Sequence, residues 1–307
     1  MTELYDVAII GGGPAGLTAG LYAARDLMKT VIFEKSTVGG LITQTDAIEN
    51  YPGAPEGSDG FALTERMREQ AVAAGAGIIY DQIIAVKKEN GIFMLTGKAG
   101  EYTSRTVIIC AGSIPRKLGI PGEAEFTGRG VSYCATCDAM FFRGKVVGVS
   151  GGGDSAVKEA NFLTRFASKV YVFHRRDELR ARGEVRERLL NNPKAEVVYN
   201  TVIEEILGED KVCGVKLRDT VTGETRTMEL DGVFVFNGFD ADTEMYADLI
   251  ERTDAGWIKT DENMATSCDG IYAAGDVRDT VLRQVVTAAS DGAVAATRAG
   301  IYADEHR

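Results

Sequence analysis

The chain has 307 residues, which suggests roughly two domains, with 45% hydrophobic and 26% charged residues as in ordinary globular proteins. Its 45 acidic and 34 basic side chains give a formal net charge of −11, which disfavours nucleic acid and anionic membranes as partners. No apolar run reaches membrane-spanning length, no basic segment opens the chain, and five cysteines with one close pair exclude a disulfide-stapled secreted scaffold, so we expect a cytoplasmic protein.

The first predicted element is a short apolar strand, residues 5–10, that runs into a glycine-rich turn. An Ala/Leu-rich helix and a second strand follow, and this second strand ends in an acid, Glu34. The order is typical of a dinucleotide-binding unit, in which Gly11 permits the tight turn and Gly13 lets a pyrophosphate approach the backbone. Gly16 would let the helix pack closely on the strand.

The same unit returns in the middle of the chain, over residues 145–174. Gly11 and Glu34 are 23 positions apart, and so are Gly151 and His174, the corresponding residues of the second unit. The acid at the end of the first unit accepts hydrogen bonds from ribose hydroxyls and repels a 2′-phosphate, whereas the His-Arg-Arg that begins at His174 would bind that phosphate. The first site is therefore predicted to hold the adenosine of FAD or NAD, and the second to prefer NADPH.

A third element, a buried strand that ends in Gly275 and Asp276, would complete the first site, because an acid there could bind the ribitol hydroxyls of a flavin. It lies so far along the chain that the chain must leave the first domain and return to it. Gly112–Pro115 and Gly238–Asp242 are predicted to be the crossing segments. The expected domains are 1–113 with 243–307, and an inserted domain, 114–242.

Between the two glycine turns lies a CxxC motif, Cys134 to Cys137. Such a pair is usually half of a zinc site or a redox dithiol. Zinc would need two more ligands, and His174 and His306 do not form a second pair at ligand spacing, so no metal is expected. A reversible disulfide needs only the pair and an electron source, and the flanking turns provide sites for one.

The other cysteines are single. Cys110 and Cys213 lie in alternating strands and are predicted to be small buried hydrophobic residues, while Cys268 precedes a strand in a loop and is expected to be exposed but inert.

Seven motifs occur in the order seen in low-molecular-weight, bacterial-type thioredoxin reductases, and the chain resembles that family over nearly its whole length. They are Gly11–Gly16, Glu49–Gly53, Cys134–Asp138, Gly151–Ala156, His174–Ala181, Gly275–Asp276 and Arg283–Gln284. Members of the family are homodimeric FAD enzymes that carry electrons from NADPH to thioredoxin. The resemblance implies an α/β fold with two Rossmann-like dinucleotide-binding domains, the NADPH domain being inserted into a discontinuous FAD domain.

The resemblance also implies the site residues. Those expected at FAD are Gly11, Gly13, Pro14, Ala15, Gly16, Glu34, Lys35, Gly40, Asn50, Gly275, Asp276, Arg283 and Gln284. Those expected at NADPH are Gly151, Gly153, Asp154, Ser155, Ala156, His174, Arg175, Arg176 and Arg180. By the same resemblance, Cys137 would face the flavin, Cys134 would attack the acceptor, and Asp138 would be the nearby acid or base.

The predicted electron path runs from NADPH through flavin and the dithiol to thioredoxin or a thioredoxin-like protein, with the inserted domain rotating between half-reactions. Two readings stay open for the neighbours of the dithiol. Asp138 is either the proton donor or a turn cap, and Phe141 with Phe142 is either a docking patch or core.

The chain departs from the family pattern at three places: Leu41 directly follows Gly40, Phe239–Thr243 replaces a segment with His and Pro-Asn, and Met140 stands where an aromatic residue is common. Other functions therefore remain open. The alternatives are a related flavoprotein fed by ferredoxin or NADH, a dithiol oxidase, and a flavin-binding redox sensor. The arginine cluster argues against ferredoxin, and the intact second turn argues against a sensor.

Overall fold

A computed structural model describes residues 3–44, 48, 50–133 and 135–306, with the side chains of Gln44, Thr136 and Cys137 left out. The chain divides into two compact units, the first made of Met1–Ile114 with Asp240–Arg307 and the second of Pro115–Phe239. Among the described residues, no helix is both long and apolar enough to cross a bilayer.

The described chain combines helices with runs of consecutive strands. The strands are β1 Leu4–Ile10, β2 Thr30–Glu34, β3 Gly77–Tyr80, β4 Ile83–Glu89, β5 Ile92–Gly97, β6 Glu101–Ile109, β7 Ile114–Pro115, β8 Val131–Ser132, β9 Val146–Ser150, β10 Lys169–Phe173, β11 Ala195–Val198, β12 Thr201–Gly208, β13 Val212–Asp219, β14 Thr225–Glu229, β15 Gly232–Val235, β16 Phe239–Asp240 and β17 Ile271–Ala273. The α-helices are α1 Pro14–Arg25, α2 Gly60–Ala73, α3 Ala135–Asp138, α4 Asp154–Leu163, α5 Gly183–Leu190 and α6 Val285–Glu305.

The first unit is built on a parallel sheet in the order β3, β2, β1, β6, β17, to which β5 and β4 add antiparallel strands along the first half of β6. Alternate residues of the central strands point to opposite faces. Ile9 and its neighbours Ile32 and Ile108 pack with the helices on one face, while Ile10 and Phe33 pack with the β4–β5 hairpin on the other. Both faces are covered, and the second halves of β1 and β6 are consequently apolar.

Helices α1 and α6 lie unusually close together in the first unit. A Cβ built on Gly292 would lie 2.2 Å from the carbonyl oxygen of Ala15, so only glycine allows this approach of the two backbones. Both helices begin near the carboxyl edge of the sheet, since α1 follows β1 and α6 follows β17. The packing therefore brings two helix N-termini to that edge.

The second unit repeats this layout. Its five-stranded parallel sheet has the order β11, β10, β9, β15, β8, with α4 and α5 on one face and the antiparallel sheet of β12, β13 and β14 on the other. In each unit, the strand that enters the glycine turn lies between the strand that follows it and a strand from much later in the chain. This is the arrangement at which open α/β sheets form a crevice for ligands.

The connecting segments β7 and β16 pair as a two-stranded sheet, and within the second unit the N–H of Arg116 donates to the carbonyl oxygen of Gly238 at 2.8 Å.

The prediction for one single cysteine is wrong. Cys110 is buried as expected, but Cys213 is exposed. The register of β12 with β13 shifts at this place, because Leu207 is paired with Gly214 and Gly208 with Val212. Cys213 is the extra residue of a bulge, and strand alternation does not apply to it.

Candidate functional site

The glycines of the first turn, between β1 and α1, differ in how much room there is for a side chain. Gly11 has φ +111°, and a Cβ there would lie 2.3 Å from the carbonyl oxygen of Cys110. A Cβ on Gly16 would lie 1.9 Å from the carbonyl oxygen of Gly11, so the helix packs directly on the turn. Gly13, in contrast, has nothing nearer than the Cα of Gly40 at 3.9 Å. A Cβ would therefore fit over Gly13 in ordinary van der Waals contact, at the N-terminus of α1, where backbone N–H groups lack helical acceptors.

Glu34, at the end of β2, is buried and held against this turn. Its Oε2 accepts a hydrogen bond from the N–H of Gly12 at 2.8 Å, and its Oε1 accepts one from the N–H of Ser36 at 2.9 Å. These bonds fix the carboxylate and leave it acceptor capacity for hydroxyl groups. The adjacent Lys35 is exposed.

The Gly-Asp pair after β17 lies against the start of α1. A Cβ on Gly275 would meet the Cβ of Ala15 at 2.9 Å, and the N–H of Gly275 donates to Oδ2 of Asp291 at 3.1 Å. Burial raises the pKa of Asp276, and the nearby Arg283 opposes this effect. A carboxyl group in such surroundings favours hydrogen-bond donors as partners.

Arg283, Gln284 and Asn50 form a neighbouring group at the start of α6. The guanidinium of Arg283 lies over the ring of Trp257 at 3.9 Å from the centroid, and its Nε donates to the carbonyl oxygen of Asp276 at 3.3 Å. Gln284 caps α6, and its Oε1 accepts a hydrogen bond from Nδ2 of Asn50 at 2.7 Å. Residues 234 positions apart thus meet beside the same turn.

In the second unit the glycine turn between β9 and α4 has the same construction. Gly151 has φ +146°, and a Cβ there would lie 2.6 Å from the carbonyl oxygen of Phe236 and 2.7 Å from the Cβ of Ala156. A Cβ on Gly152 would lie 2.2 Å from Nδ1 of His174, so the imidazole covers the turn. Over Gly153 the nearest atom is Nη2 of Arg180, at 3.5 Å.

His174 is 5% exposed, and in the described part of the chain its Nε2 has no hydrogen-bond partner. Its pKa is lowered by burial, opposed by a hydrogen bond with the Glu178 backbone, and lowered further by Arg180, Arg176 and Arg175. Those three arginines are exposed, and the N–H of Arg180 donates to the carbonyl oxygen of Gly152 at 2.8 Å. A polar ring with a free nitrogen among three guanidinium groups is suited to an anion.

At the start of α4, Asp154 and Ser155 are exposed, and Oδ1 of Asp154 accepts a hydrogen bond from the N–H of Arg182 at 3.3 Å. Ala156, in contrast, is buried beneath the turn.

The CxxC segment follows β8. Cys134 lies outside the described residues, and so does the side chain of Cys137, whose backbone is part of α3. Asp138 is half-buried, and its side chain makes no capping hydrogen bond to the following turn. Within the described residues, no three His, Cys, Asp or Glu side chains are grouped as metal ligands would be.

The two phenylalanines after the dithiol have different environments. Phe142 is buried, and its ring packs on that of Phe234 with centroids 5.2 Å apart and fills the space over Gly232. Phe141 is 71% exposed, and the preceding Met140 is exposed too. One ring therefore anchors the segment in the core while the other faces solvent.

The model of a family described as pyridine nucleotide-disulphide oxidoreductase matches residues 5–292. The chain belongs to the pyridine nucleotide-disulphide oxidoreductase family. It is 48% identical over 310 residues to the thioredoxin reductase of Peptoclostridium acidaminophilum, covering 99% of this chain and 98% of that protein. It is also 48% identical over 300 residues to the thioredoxin reductase of Treponema pallidum (strain Nichols), covering 98% and 97%.

Among solved structures, this member of the pyridine nucleotide-disulphide oxidoreductase family is similar to Lactococcus lactis thioredoxin reductase in the FR conformation. The TM-score is 0.92 at 41% identity, and the match covers 98% of this chain and 99% of that one. The resemblance to thioredoxin reductases and the two-domain Rossmann-like fold predicted from the sequence are thereby confirmed.

Some supporting residues of this oxidoreductase carry no sequence signal. Asp291 accepts the hydrogen bond from Gly275 and forms an ion pair with Arg278 at 3.1 Å, with both side chains largely buried. Trp257 supports Arg283. Neither Asp291 nor Trp257 belongs to a recognisable motif, and only the packing of α6 and the loops around β17 reveals what they hold.

Proposed function

We propose that this protein is a thioredoxin reductase, catalysing NADPH + H⁺ + thioredoxin disulfide → NADP⁺ + thioredoxin dithiol. The observation that carries the proposal is a CxxC between two dinucleotide-binding turns whose strand ends differ, with Glu34 at one and His174 with its arginines at the other. A cytoplasmic location agrees with the need to keep such a dithiol reduced between turnovers.

The first unit fits FAD. The uncrowded backbone of Gly13 and the N-terminus of α1 would receive the pyrophosphate, and the fixed carboxylate of Glu34 would accept hydrogen bonds from ribose hydroxyls. Asp276 would bind the ribitol hydroxyls, and Asn50 and Gln284 would line the same site. FAD held there would supply the chemistry of hydride acceptance from NADPH and of two-electron transfer to a disulfide.

The second unit fits NADPH better than NADH. Arg175, Arg176 and Arg180 are exposed beside the glycine turn, where they can form charge-assisted hydrogen bonds with a 2′-phosphate, and the free Nε2 of His174 lies at the same place. A ferredoxin-fed enzyme would have no use for this cluster. We therefore assign 1–113 with 243–307 to FAD, and 114–242 to NADPH together with the dithiol.

The thiol chemistry can be written with the chain's own cysteines. The thiolate of Cys134 attacks one sulfur of the acceptor disulfide and expels the other as a thiolate, which takes a proton. The thiolate of Cys137 then attacks the sulfur of Cys134, releases the second acceptor sulfur and closes the Cys134–Cys137 disulfide. Asp138 directly follows Cys137, and we assign it the delivery of a proton to the leaving thiolate.

Turnover would require the second unit to rotate. Both the dithiol and the NADPH turn belong to that unit, yet each must reach the single flavin of the first. The crossing segments contain Gly112, with φ +70°, and Gly238, with φ +103°, and a Cβ on either would meet nothing within 4 Å. Backbone freedom of this kind is suited to a hinge.

The acceptor is proposed to dock on the exposed Met140 and Phe141, which lie a few residues after the dithiol. An apolar patch beside a reactive thiol is suited to a protein partner.

The protein is further proposed to be a homodimer, as its family is. Tyr22, Phe61 and Val286 are exposed apolar side chains on α1, α2 and α6, and these helices border one groove. Light scattering should therefore give twice the chain mass for the native protein and a lower mass for Tyr22→Glu, while Tyr80→Glu, at another exposed tyrosine, should remain dimeric.

One experiment separates the candidate functions: NADPH is added anaerobically to the purified holoprotein, thioredoxin follows, and flavin absorbance and new thiols are measured. We expect flavin bleaching, then recovery with two thiols formed per NADPH. No bleaching would reject the NADPH-dependent enzyme in favour of another donor or a sensor. Bleaching without reduction of thioredoxin would indicate a different acceptor or an oxidase, and equal rates with NADH would overturn the assignment of the arginines.

A further inference from the structure

Glu123, in the second unit, is a buried carboxylate that the proposed reaction does not use. It is 3% exposed, and among the described residues it accepts three hydrogen bonds. The N–H of Leu118 donates to Oε1 at 2.7 Å, the N–H of Gly119 donates to Oε2 at 2.6 Å, and the hydroxyl of Tyr133 donates to Oε1 at 2.8 Å. In the described part of the chain, none of the ion pairs includes this carboxylate, and the three donors are what stabilise its charge in the interior.

These bonds connect the segment by which the chain enters the second unit to the segment that leads into the dithiol. Leu118 and Gly119 lie shortly after β7, where the chain enters the unit, whereas Tyr133 immediately precedes Cys134. One carboxylate therefore ties the entering chain to the residue before the dithiol.

The scaffold that carries Glu123 is itself fixed. The N–H of Ile206 in β12 donates to the carbonyl oxygen of Pro121 at 3.0 Å, and a Cβ on Gly122 would lie 2.1 Å from the carbonyl oxygen of Ile206. The hydroxyl of Thr127 donates to the carbonyl oxygen of Glu123 at 2.7 Å. The carboxylate thus has little freedom to follow Tyr133 if that segment moves.

The tyrosine persists as a neutral donor. Burial, followed by the hydrogen bond to Glu123, raises the pKa of Tyr133 to about 12. The bond therefore stays in place throughout the range in which cysteine thiols titrate. On the other side of the dithiol, Ala139 and Phe142 are buried, so the chain is anchored in the core after the CxxC as well as before it.

We propose that Glu123 is a positioning residue for the Cys134–Cys137 pair and acts through the hydroxyl of Tyr133. The inference rests on the proposed function insofar as it takes these cysteines as the redox pair. A disulfide closes only when the two cysteines are within a narrow distance and orientation. Because the hydrogen bond between Glu123 and Tyr133, hereafter the tether, fixes the residue before Cys134, the open dithiol has less conformational freedom to lose when the disulfide closes. The tether therefore stabilises the disulfide relative to the open dithiol.

Two variants of the holoenzyme test this inference. Tyr133→Phe removes only the hydroxyl. Glu123→Gln replaces one accepting oxygen with an NH2 group, which cannot accept the hydrogen bond of the donor that points at it. The matched control is Glu125→Gln, which alters an exposed carboxylate two residues further on. Each protein is equilibrated in glutathione redox buffers, quenched with an alkylating agent and weighed by mass spectrometry. The midpoint gives the dithiol potential, and thermal unfolding is recorded in parallel.

Ordering the backbone of one residue costs about 1 kcal/mol, so losing the tether should lower the equilibrium constant for disulfide closure about fivefold. This corresponds to a potential about 20 mV less negative. Both variants should show this shift, the double variant should show no larger one, and Glu125→Gln should match the native protein.

A Tyr133→Phe protein that is folded and has the native potential would overturn the inference, and so would equal shifts in the control. Tyr133→Phe decides the question even if Glu123→Gln does not fold. Failure of the proposed function is recognised separately, because the native protein would then show no reversible Cys134–Cys137 couple at all.

Discussion

Replacing Gly13 by alanine should separate cofactor binding from folding. The backbone of Gly13, with φ −78° and ψ −175°, is accessible to any residue, and the new Cβ would meet nothing nearer than 3.9 Å. The free energy of unfolding of the apoprotein should therefore change by less than about 1 kcal/mol. The methyl group would, however, occupy the space proposed for the pyrophosphate. Displacing a tightly packed group costs about 1–3 kcal/mol, which weakens FAD binding by roughly 5- to 150-fold.

The assay is a titration of flavin-free protein with FAD, followed by flavin fluorescence, with urea unfolding of the same samples. Gly16→Ala is the contrasting variant, because its Cβ would lie 1.9 Å from the oxygen of Gly11 and should destabilise the apoprotein itself. Gly153→Ala, in the other turn, should leave FAD affinity unchanged. A folded Gly13→Ala protein that binds FAD as tightly as the native one would refute the reasoning, since no phosphate could then approach that backbone.

Three further predictions concern the second unit. Arg176→Ala should raise the KM for NADPH about tenfold and leave that for NADH within about twofold, whereas Arg188→Ala should change neither; equal losses for both nucleotides would contradict the 2′-phosphate assignment. Serine at Cys134 or Cys137 should abolish reduction of thioredoxin in a thiol assay while NADPH still bleaches the flavin, and retained activity would rule out the dithiol path. Because burial lowers the pKa of His174 below its ordinary 6.5, the unfolded chain binds that proton first as the pH falls. Urea unfolding should therefore show stability declining below about pH 6.5, less steeply in His174→Gln, and identical profiles would exclude this cause.

The parts of the fold that could be predicted are those in which the backbone itself dictates the residue. Gly11 and Gly151 have positive φ, and Gly16 lies against a carbonyl oxygen, so no other residue fits and the spacing of glycines is visible in the sequence. The ends of β2 and β10 follow from these turns by counting, which is why Glu34 and His174 could be found without coordinates.

The residues that escaped prediction depend on contacts between distant segments. Asp291 belongs to an ordinary helical pattern, and its bond to Gly275 exists only because α6 packs on α1. Glu123 precedes Tyr133 by ten positions, in a loop whose shape depends on β12. Phe141 and Phe142 are adjacent and chemically identical, so only the position of β15 decides which of the two is buried.

The order of strands along the chain has a consequence for biosynthesis. The sheet of the first unit needs β17, and its helical layer needs α6, both of which leave the ribosome after the whole of Pro115–Phe239. The first unit therefore cannot finish folding until after the second unit has been synthesised. Until then, the apolar sides of β6 and α1 stay uncovered. Nascent chains stalled before residue 271 should engage chaperones through these surfaces and should retain no flavin.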